Sequence, residues 1–455
     1  MMLSSFKRCL NHRFLPHSDE TRKAMLDVIG VKTQEDLFST IPNNLKCDMS
    51  KTIPSGVDEK QVLQKFQNLA SKNLPASETA FFLGAGSYRH YVPALVDHLI
   101  QRSEFMTPYT PYQSEISQGT LQALFEFQTL VANISSMDFS NATMYDGATS
   151  CMESALVATR VTHKPKILIH PSLHPHWIQV VETAGRHNPN ITVERMKTQN
   201  VENWKDVACV IVQNPSVDGS VCDLSNMSNE AHKNKALLVA ACSEIVSLGL
   251  IKPPGQMGAD IFAAEGSSLG STMNFGGPLL GLFAANKSLM RQAPGRLIGQ
   301  TKDSDGNDVY CLTLAAREQH IKRDKATSNI CTSSSLMGIA FSIHLALLGK
   351  EGFAKMAQLN HINASKLTKL IGGIEGVKID TDKFFNEFTV TLPKAAEPMV
   401  DSLVEDKVMC GVPYTRLYRG FDSVNENKLL MAATELTTED DMLKVYSAMK
   451  KYLVK

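Results

Sequence analysis

Two hydrophobic rhythms organise the chain. Between Gln118 and Ile134 the apolar side chains Leu121, Leu124, Phe125, Phe127, Leu130, Val131 and Ile134 return every three or four positions, which predicts a helix with one face in a core. Downstream the pattern changes to short runs that are apolar at almost every position, at 166–170, 191–196, 208–213, 236–242, 260–264 and 279–285. Strands covered on both faces have this composition, because neither face needs polar side chains. The segments between several of them are long enough for crossover helices, so the middle of the chain reads as a large, mostly parallel, doubly wound α/β sheet.

The two ends differ from this middle. From Asp19 to about Leu74 short helical stretches alternate with the breakers Gly30, Pro42, Pro54 and Gly56, which predicts an arm or thin helical layer without a core of its own. Ahead of it, Met1 to Pro16 carries Lys7, Arg8 and Arg13, and no acid precedes Asp19. Organelle-import leaders and frayed basic termini share that composition. After about Leu336 a helical stretch leads to the alternating segment 387–392 and a final helix beyond Glu435. There Thr438 and Asp441 make a capping-box start, and Met442, Val445, Tyr446, Met449 and Leu453 form one face. The predicted organisation is a leader at 1–13, a helical arm at 14–80, a large sheet domain at 81–335 and a smaller α+β domain at 336–455.

Composition narrows the partners. A chain of 455 residues carries a soft prior of about three domains, or two if one is a large α/β unit. Lys plus Arg and Asp plus Glu number 46 each, so no bulk field draws the protein to nucleic acid or to an anionic membrane. No apolar run approaches the roughly 20 residues of a membrane-spanning helix. The nine cysteines include no C-x-x-C pair and no metal-site spacing, which fits a reducing compartment and small, mostly buried thiols.

Four segments carry candidate chemistry. Gly84-Ala85-Gly86-Ser87-Tyr88-Arg89 has the start of a dinucleotide fingerprint, but Arg89 stands where the third glycine belongs, and a tight turn fits better. Tyr145-Asp146-Gly147-Ala148-Thr149-Ser150 runs into a predicted helix at 151–160. Gly147, Thr149 and Ser150 have the makings of an anion cradle at a helix start, and equally of an ordinary turn and cap. In Pro108-Tyr109-Thr110-Pro111-Tyr112-Gln113 the prolines stiffen two tyrosines, as a substrate lining or as simple packing. The stretch 317–329, with Arg323, Lys325, Thr327, Ser328 and Asn329, is either a contact for an acidic group or a solvated charged face.

Taken together, 81–88, 102–105, 109–113 with 115–120, 145–149, 275–278, 294–296 and 317–331 resemble the P-protein of the glycine cleavage system, in the form divided between two chains and represented here by its subunit 1. The likeness is nearly colinear from about Phe14 onward. It implies fold-type I of the pyridoxal-phosphate enzymes and a glycine dehydrogenase (decarboxylating). In that reaction glycine joins pyridoxal phosphate and loses carbon dioxide, and its aminomethyl group passes to the lipoamide arm of H-protein.

The resemblance also exposes a gap. Catalytic members of the fold hold the coenzyme on a lysine after a late strand of the large domain. The corresponding stretch, 263–278, has none, and no lysine occurs between Lys252 and Lys287. The strand-end acid that often serves the pyridine nitrogen falls near Cys242 to Glu244, where Glu244 is longer than the usual aspartate. Gln256 after Pro-Pro-Gly, and Ser271-Thr272-Met273-Asn274 in the turn, also depart from the family pattern.

The expectation is therefore a chain without its own covalent cofactor site, paired with a lysine-bearing subunit 2 in a heterotetramer of two copies each. Pyridoxal phosphate is then bound by the partner subunit, and lipoamide of H-protein is the acceptor. Tyr109 and Tyr112 are the expected substrate lining. Arg323, Lys325, Thr327, Ser328 and Asn329 are expected interface or anion contacts, with Gly147, Thr149 and Ser150 as a residual cofactor loop. Two other readings stay open: an autonomous enzyme using Lys252 or Lys287, and a scaffold that stabilises subunit 2 or docks H-protein. The basic, unmatched terminus favours a mitochondrion or related organelle, with bacterial cytoplasm as the alternative.

Overall fold

The computed structural model describes residues 17–47, 53–422 and 424–454, so the leader expected at 1–13 lies outside the described residues. The chain divides into two units, Met1–Asn73 and Leu74–Lys455. Among the described residues the first holds the α-helices α1 (Asp19–Ile29), capped by Ser18, and α2 (Glu59–Ala70), capped by Asp58. Neither helix buries a residue. Val28 is 90% exposed, and Leu45, Leu63 and Phe66 are exposed as well.

The second unit opens with β1 (Ala80–Phe81) and then the helix α3 (Gln118–Ser135). Its main sheet comprises β2 (Phe139–Ser140), β3 (Lys166–Ile169), β4 (Thr192–Arg195), β5 (Val207–Gln213), β6 (Leu237–Cys242), β7 (Ile261–Glu265) and β8 (Gly281–Ala285). They lie in the order β2-β8-β7-β6-β5-β3-β4, and β8 alone runs against the others. The helices α4 (Gly147–Thr162), α5 (Pro175–Arg186) and α6 (Ser225–Lys233) follow β2, β3 and β5.

Alternation along each strand supplies both faces of the sheet. Leu168, Val210, Leu238, Phe262 and Leu282 pack on one side with Phe127 and Val131 of α3. Ile167, Ile211, Val239, Ala263 and Phe283 pack on the other with Cys151 and Ala155 of α4 and Trp177 of α5. Cys151 and Cys209 serve there as small apolar groups, and burial pushes the Cys151 thiol up to about 12.

A hairpin, β9 (Leu297–Lys302) and β10 (Asp308–Thr313), precedes the long helix α7 (Ser335–Gly372). Gly349, at φ +59°, breaks α7 into two parts. Phe341 and Leu345 in the first part join the sheet core, whereas Leu367 and Ile371 in the second join a separate C-terminal core. That core belongs to a second sheet of β11 (Lys378–Ile379), β12 (Glu387–Thr391), β14 (Val412–Pro413) and β15 (Lys428–Ala432), in the order β11-β12-β15-β14. It also takes in the helices α8 (Ala396–Val404) and α9 (Glu439–Leu453), the latter started by the Thr438–Asp441 capping box.

The first strand does not join the large sheet. β1 pairs in parallel with β13 (Val408–Met409), and Ala80 and Phe82 are buried with Phe388, Met431 and Val445. Phe82, before the long helix, thus lies in the C-terminal core, and Phe341 and Leu345, beyond 336, lie in the sheet core.

Candidate active site

In an open parallel sheet, ligands sit beyond the carboxyl ends of the strands, where the strand order reverses. Here the order reverses between β3 and β5. The groups beyond those ends are His170, Ser172 and His174 after β3, Gln213 closing β5, Ser243 and Glu244 after β6, and Glu265 to Ser267 after β7. The segment Gly84–Tyr91 folds over this edge. His174 Nε2 donates to the Ala85 carbonyl (3.0 Å), and its Nδ1 accepts from the His176 N–H (3.2 Å). Burial, with His176 nearby, depresses His174 to about 4, so its ring is neutral. Gln213 receives the His174 N–H and donates to Pro215 and Ser243.

The second sheet reaches the same segment. Glu387, at the start of β12, accepts from the Ala85 N–H (2.6 Å) and from the Tyr88 hydroxyl (2.8 Å). Burial pushes its carboxyl up to about 8, against the pull of those two donors. His90 bridges two acids, with Glu244 at Nε2 and Glu435 at Nδ1, each 2.9 Å away. Burial opposes charge on the ring, but the two carboxylates outweigh it and raise His90 to about 10. Ser87 and Tyr88, with Ser267, Ser271, Thr272 and the 276–279 turn, line what remains of the cleft.

The residues of this edge do not fit pyridoxal phosphate. The position after β7 offers Gly266, Ser267 and Ser268, and a hydroxyl forms no imine. Lys252 and Lys287 are both exposed. Lys287 follows β8, whose end pairs with Ile261 at the amino edge of the parallel strands, on the far side from the cleft. Glu244 is already engaged, since it also accepts from the Val246 N–H (3.0 Å). The start of α4 is filled by the chain's own carboxylates. Glu265 accepts from the N–H groups of Gly147 (3.0 Å), Ser267 (3.1 Å) and Leu280 (2.9 Å), while Asp146 caps Thr149 (2.7 Å). Ser150 is buried and donates to the Leu282 carbonyl (2.6 Å). The N–H groups of Gly147 and Thr149 and the Ser150 hydroxyl thus donate within the chain, as in a turn and cap.

A second polar cluster gathers three of the sequence motifs. Arg296 is 4% exposed and donates from Nη2 to the Tyr112 hydroxyl (2.5 Å). Its guanidinium carbon lies 4.9 Å from the Tyr112 ring centre. Glu318, 7% exposed, lies 3.6 Å from Arg296 Nε and 3.7 Å from His320 Nδ1. The His320 ring meets Tyr112 edge-on, at 6.2 Å and 77°. The buried Nη1 of Arg296, Nε and Nη2 of Arg317, and the hydroxyls of Thr110 and Thr332 find no partner within the described chain.

Other expected contacts are placed less tightly. Tyr109 is 76% exposed, and Arg323, Lys325 and Asn329 are exposed. Thr327 donates its N–H to the Arg317 carbonyl, and Ser328 faces the buried Glu153 of α4. The adjoining N–H groups of Cys331 and Thr332 donate to the Tyr145 hydroxyl (3.0 and 3.3 Å). The loop at 317–332 is therefore packed along its ends and open across its middle. Sequence reading missed Arg296, Glu318 and Glu265 as individual site residues. For Arg296 the cue was the Pro-Gly-Arg motif and for Glu318 its place in the charged stretch 317–329; nothing local marks Glu265.

Comparison with known proteins agrees with this geometry. Residues 12–449 match the family model described as glycine cleavage system P-protein. The chain is 48% identical over 438 residues to a probable glycine dehydrogenase (decarboxylating) subunit 1 of Maricaulis maris, covering 94% of this chain and 97% of that one. Identity is 47% over 448 residues to the protein of the same name from Parvibaculum lavamentivorans, covering 97% and 100%. Among solved structures, a glycine decarboxylase (P-protein) of the glycine cleavage system, crystallised in inhibitor-bound form, superposes with a TM-score of 0.87 at 39% identity, covering 97% of this chain and 100% of that one. A cysteine desulfurase from Thermococcus onnurineus shares the fold alone, with a TM-score of 0.61 at 14% identity. The chain belongs to the glycine cleavage system P-protein family.

Proposed function

We propose that this chain is the cofactor-free subunit 1 of a two-chain glycine dehydrogenase (decarboxylating). A lysine-bearing subunit 2 holds pyridoxal phosphate, and the lipoamide arm of H-protein accepts the aminomethyl group. The observation that carries the reading is the cleft itself. The lysine is missing, Glu244 is bound to His90, and the helix start that would take a phosphate is filled by Glu265. The relatives bear the name subunit 1 along essentially their whole length, which supports a second chain.

Two further features support assembly. Apolar side chains are left uncovered in the second unit, where Phe275 is 97% exposed and Tyr109 and Ile116 are exposed as well. Buried donors near Tyr112 also lack partners, a state that complete sites rarely leave. In this reading Tyr109 and Tyr112 line the glycine site of the assembled enzyme. Arg323, Lys325, Thr327, Ser328 and Asn329 face the partner, in a heterotetramer of two copies of each chain. The relatives quoted are bacterial, which supports bacterial cytoplasm over mitochondrial import.

Glycine-dependent bicarbonate exchange tests the proposal. With pyridoxal phosphate and H-protein present, the chain alone shows no exchange, and adding subunit 2 restores it. Exchange by the chain alone would contradict it.

A further inference from the structure

Tyr112 stands on a segment without regular structure and is about half exposed, so nothing in its own loop fixes its ring. Three side chains from elsewhere do. Arg296 lies over the ring and bonds its hydroxyl, and His320 meets the ring edge-on. Between Arg296 and His320 lies one buried carboxylate, Glu318. A guanidinium this buried needs a counter-charge, and Glu318 supplies it. The same carboxylate lies 3.7 Å from His320 Nδ1, so both side chains that meet Tyr112 border one buried acid. Lysine would not serve in place of Arg296, since only a planar guanidinium both stacks on an aromatic face and reaches sideways to the hydroxyl.

We propose that Arg296, Glu318 and His320 are positioning residues that hold Tyr112 in the orientation in which it meets glycine. This rests on the reading of Tyr112 as substrate lining. The Arg296 side chain acts through Tyr112 and not on the substrate itself. Its loss raises the glycine KM while leaving kcat nearly unchanged, because a misplaced wall weakens binding before it alters chemistry.

A double-mutant cycle in the reconstituted two-chain enzyme separates the possibilities. Tyr112→Ala and Arg296→Lys each raise the glycine KM by about tenfold, and the double variant is no worse than Tyr112→Ala alone. A second arm uses His320→Ala at a half-exposed position that poses little risk to folding. It raises KM by about threefold when Tyr112 is present and has no effect when Tyr112 is alanine. If Arg296→Lys and His320→Ala cost as much in the Tyr112→Ala background as in the parent, they act independently and the positioning proposal fails. If Tyr112→Ala itself leaves exchange unchanged, the reading of Tyr112 as substrate lining fails, and this proposal fails with it.

Discussion

Glu387 is buried against Ala85 and Tyr88, and burial pushes its carboxyl up from its ordinary 4.5 to about 8. Between those values the folded protein keeps a proton that the unfolded chain has released. Stability therefore falls as pH rises through that window, by at most about 1.4 kcal/mol per pH unit, and levels off above it. His90 pushes in the same direction at higher pH. Raised to about 10 by Glu244 and Glu435, its contribution is complete below about 6.5 and is lost as pH climbs through 10. Glu387→Gln fixes a neutral group in the same space, so urea midpoints measured from pH 5 to 8 fall less steeply in the variant than in the parent. Parallel slopes would show that Glu387 releases its proton in the folded state as readily as in the unfolded one. None of this was legible at the residue scale, because Glu387 and Glu435 stand 299 and 345 residues from the Tyr88 and His90 they meet.

Among the elements, α4 shows best what the chain's pattern reveals and what it hides. The Asp-Gly-Ala-Thr-Ser run correctly marks a helix start, and Asp146 caps it as such a residue should. The acid that closes the remaining donors, Glu265, is 118 residues away and looks like an ordinary strand end. Its carboxylate ties α4 to both ends of the β7–β8 connection through Gly147, Ser267 and Leu280. Glu265→Gln turns one acceptor into an amide donor facing a backbone N–H, at a cost of about 2 kcal/mol in unfolding free energy. A change of only a few tenths would mean that the three contacts do not act as a staple. The central strands β5 to β8, by contrast, could be read from the chain almost residue by residue, since burial on both faces imposes apolar side chains there, whereas the short β2 and the exposed β4 lack that mark. The capping box of α9 was equally plain, because all of its parts lie within four residues.

At the scale of the whole molecule, the family resemblance and the missing lysine were visible in the sequence, whereas the filling of the cleft was not. A vacancy in a motif can be compensated by a nearby amine, and only the packing of Gly84–Tyr91, Glu244 and Glu265 shows that this edge has been given over to internal contacts. Likewise, Tyr109 and Tyr112 were singled out together, yet only Tyr112 is boxed, because Arg296 and His320 reach it from distant segments. The most direct test asks which chain carries the coenzyme. The assembled enzyme is treated with pyridoxal phosphate, reduced with borohydride and digested, and the pyridoxyl-lysine peptide is sequenced by mass spectrometry. The account predicts a single adduct on the partner chain and none on this one; a stoichiometric adduct on Lys252, Lys287 or any other lysine of this chain would contradict it.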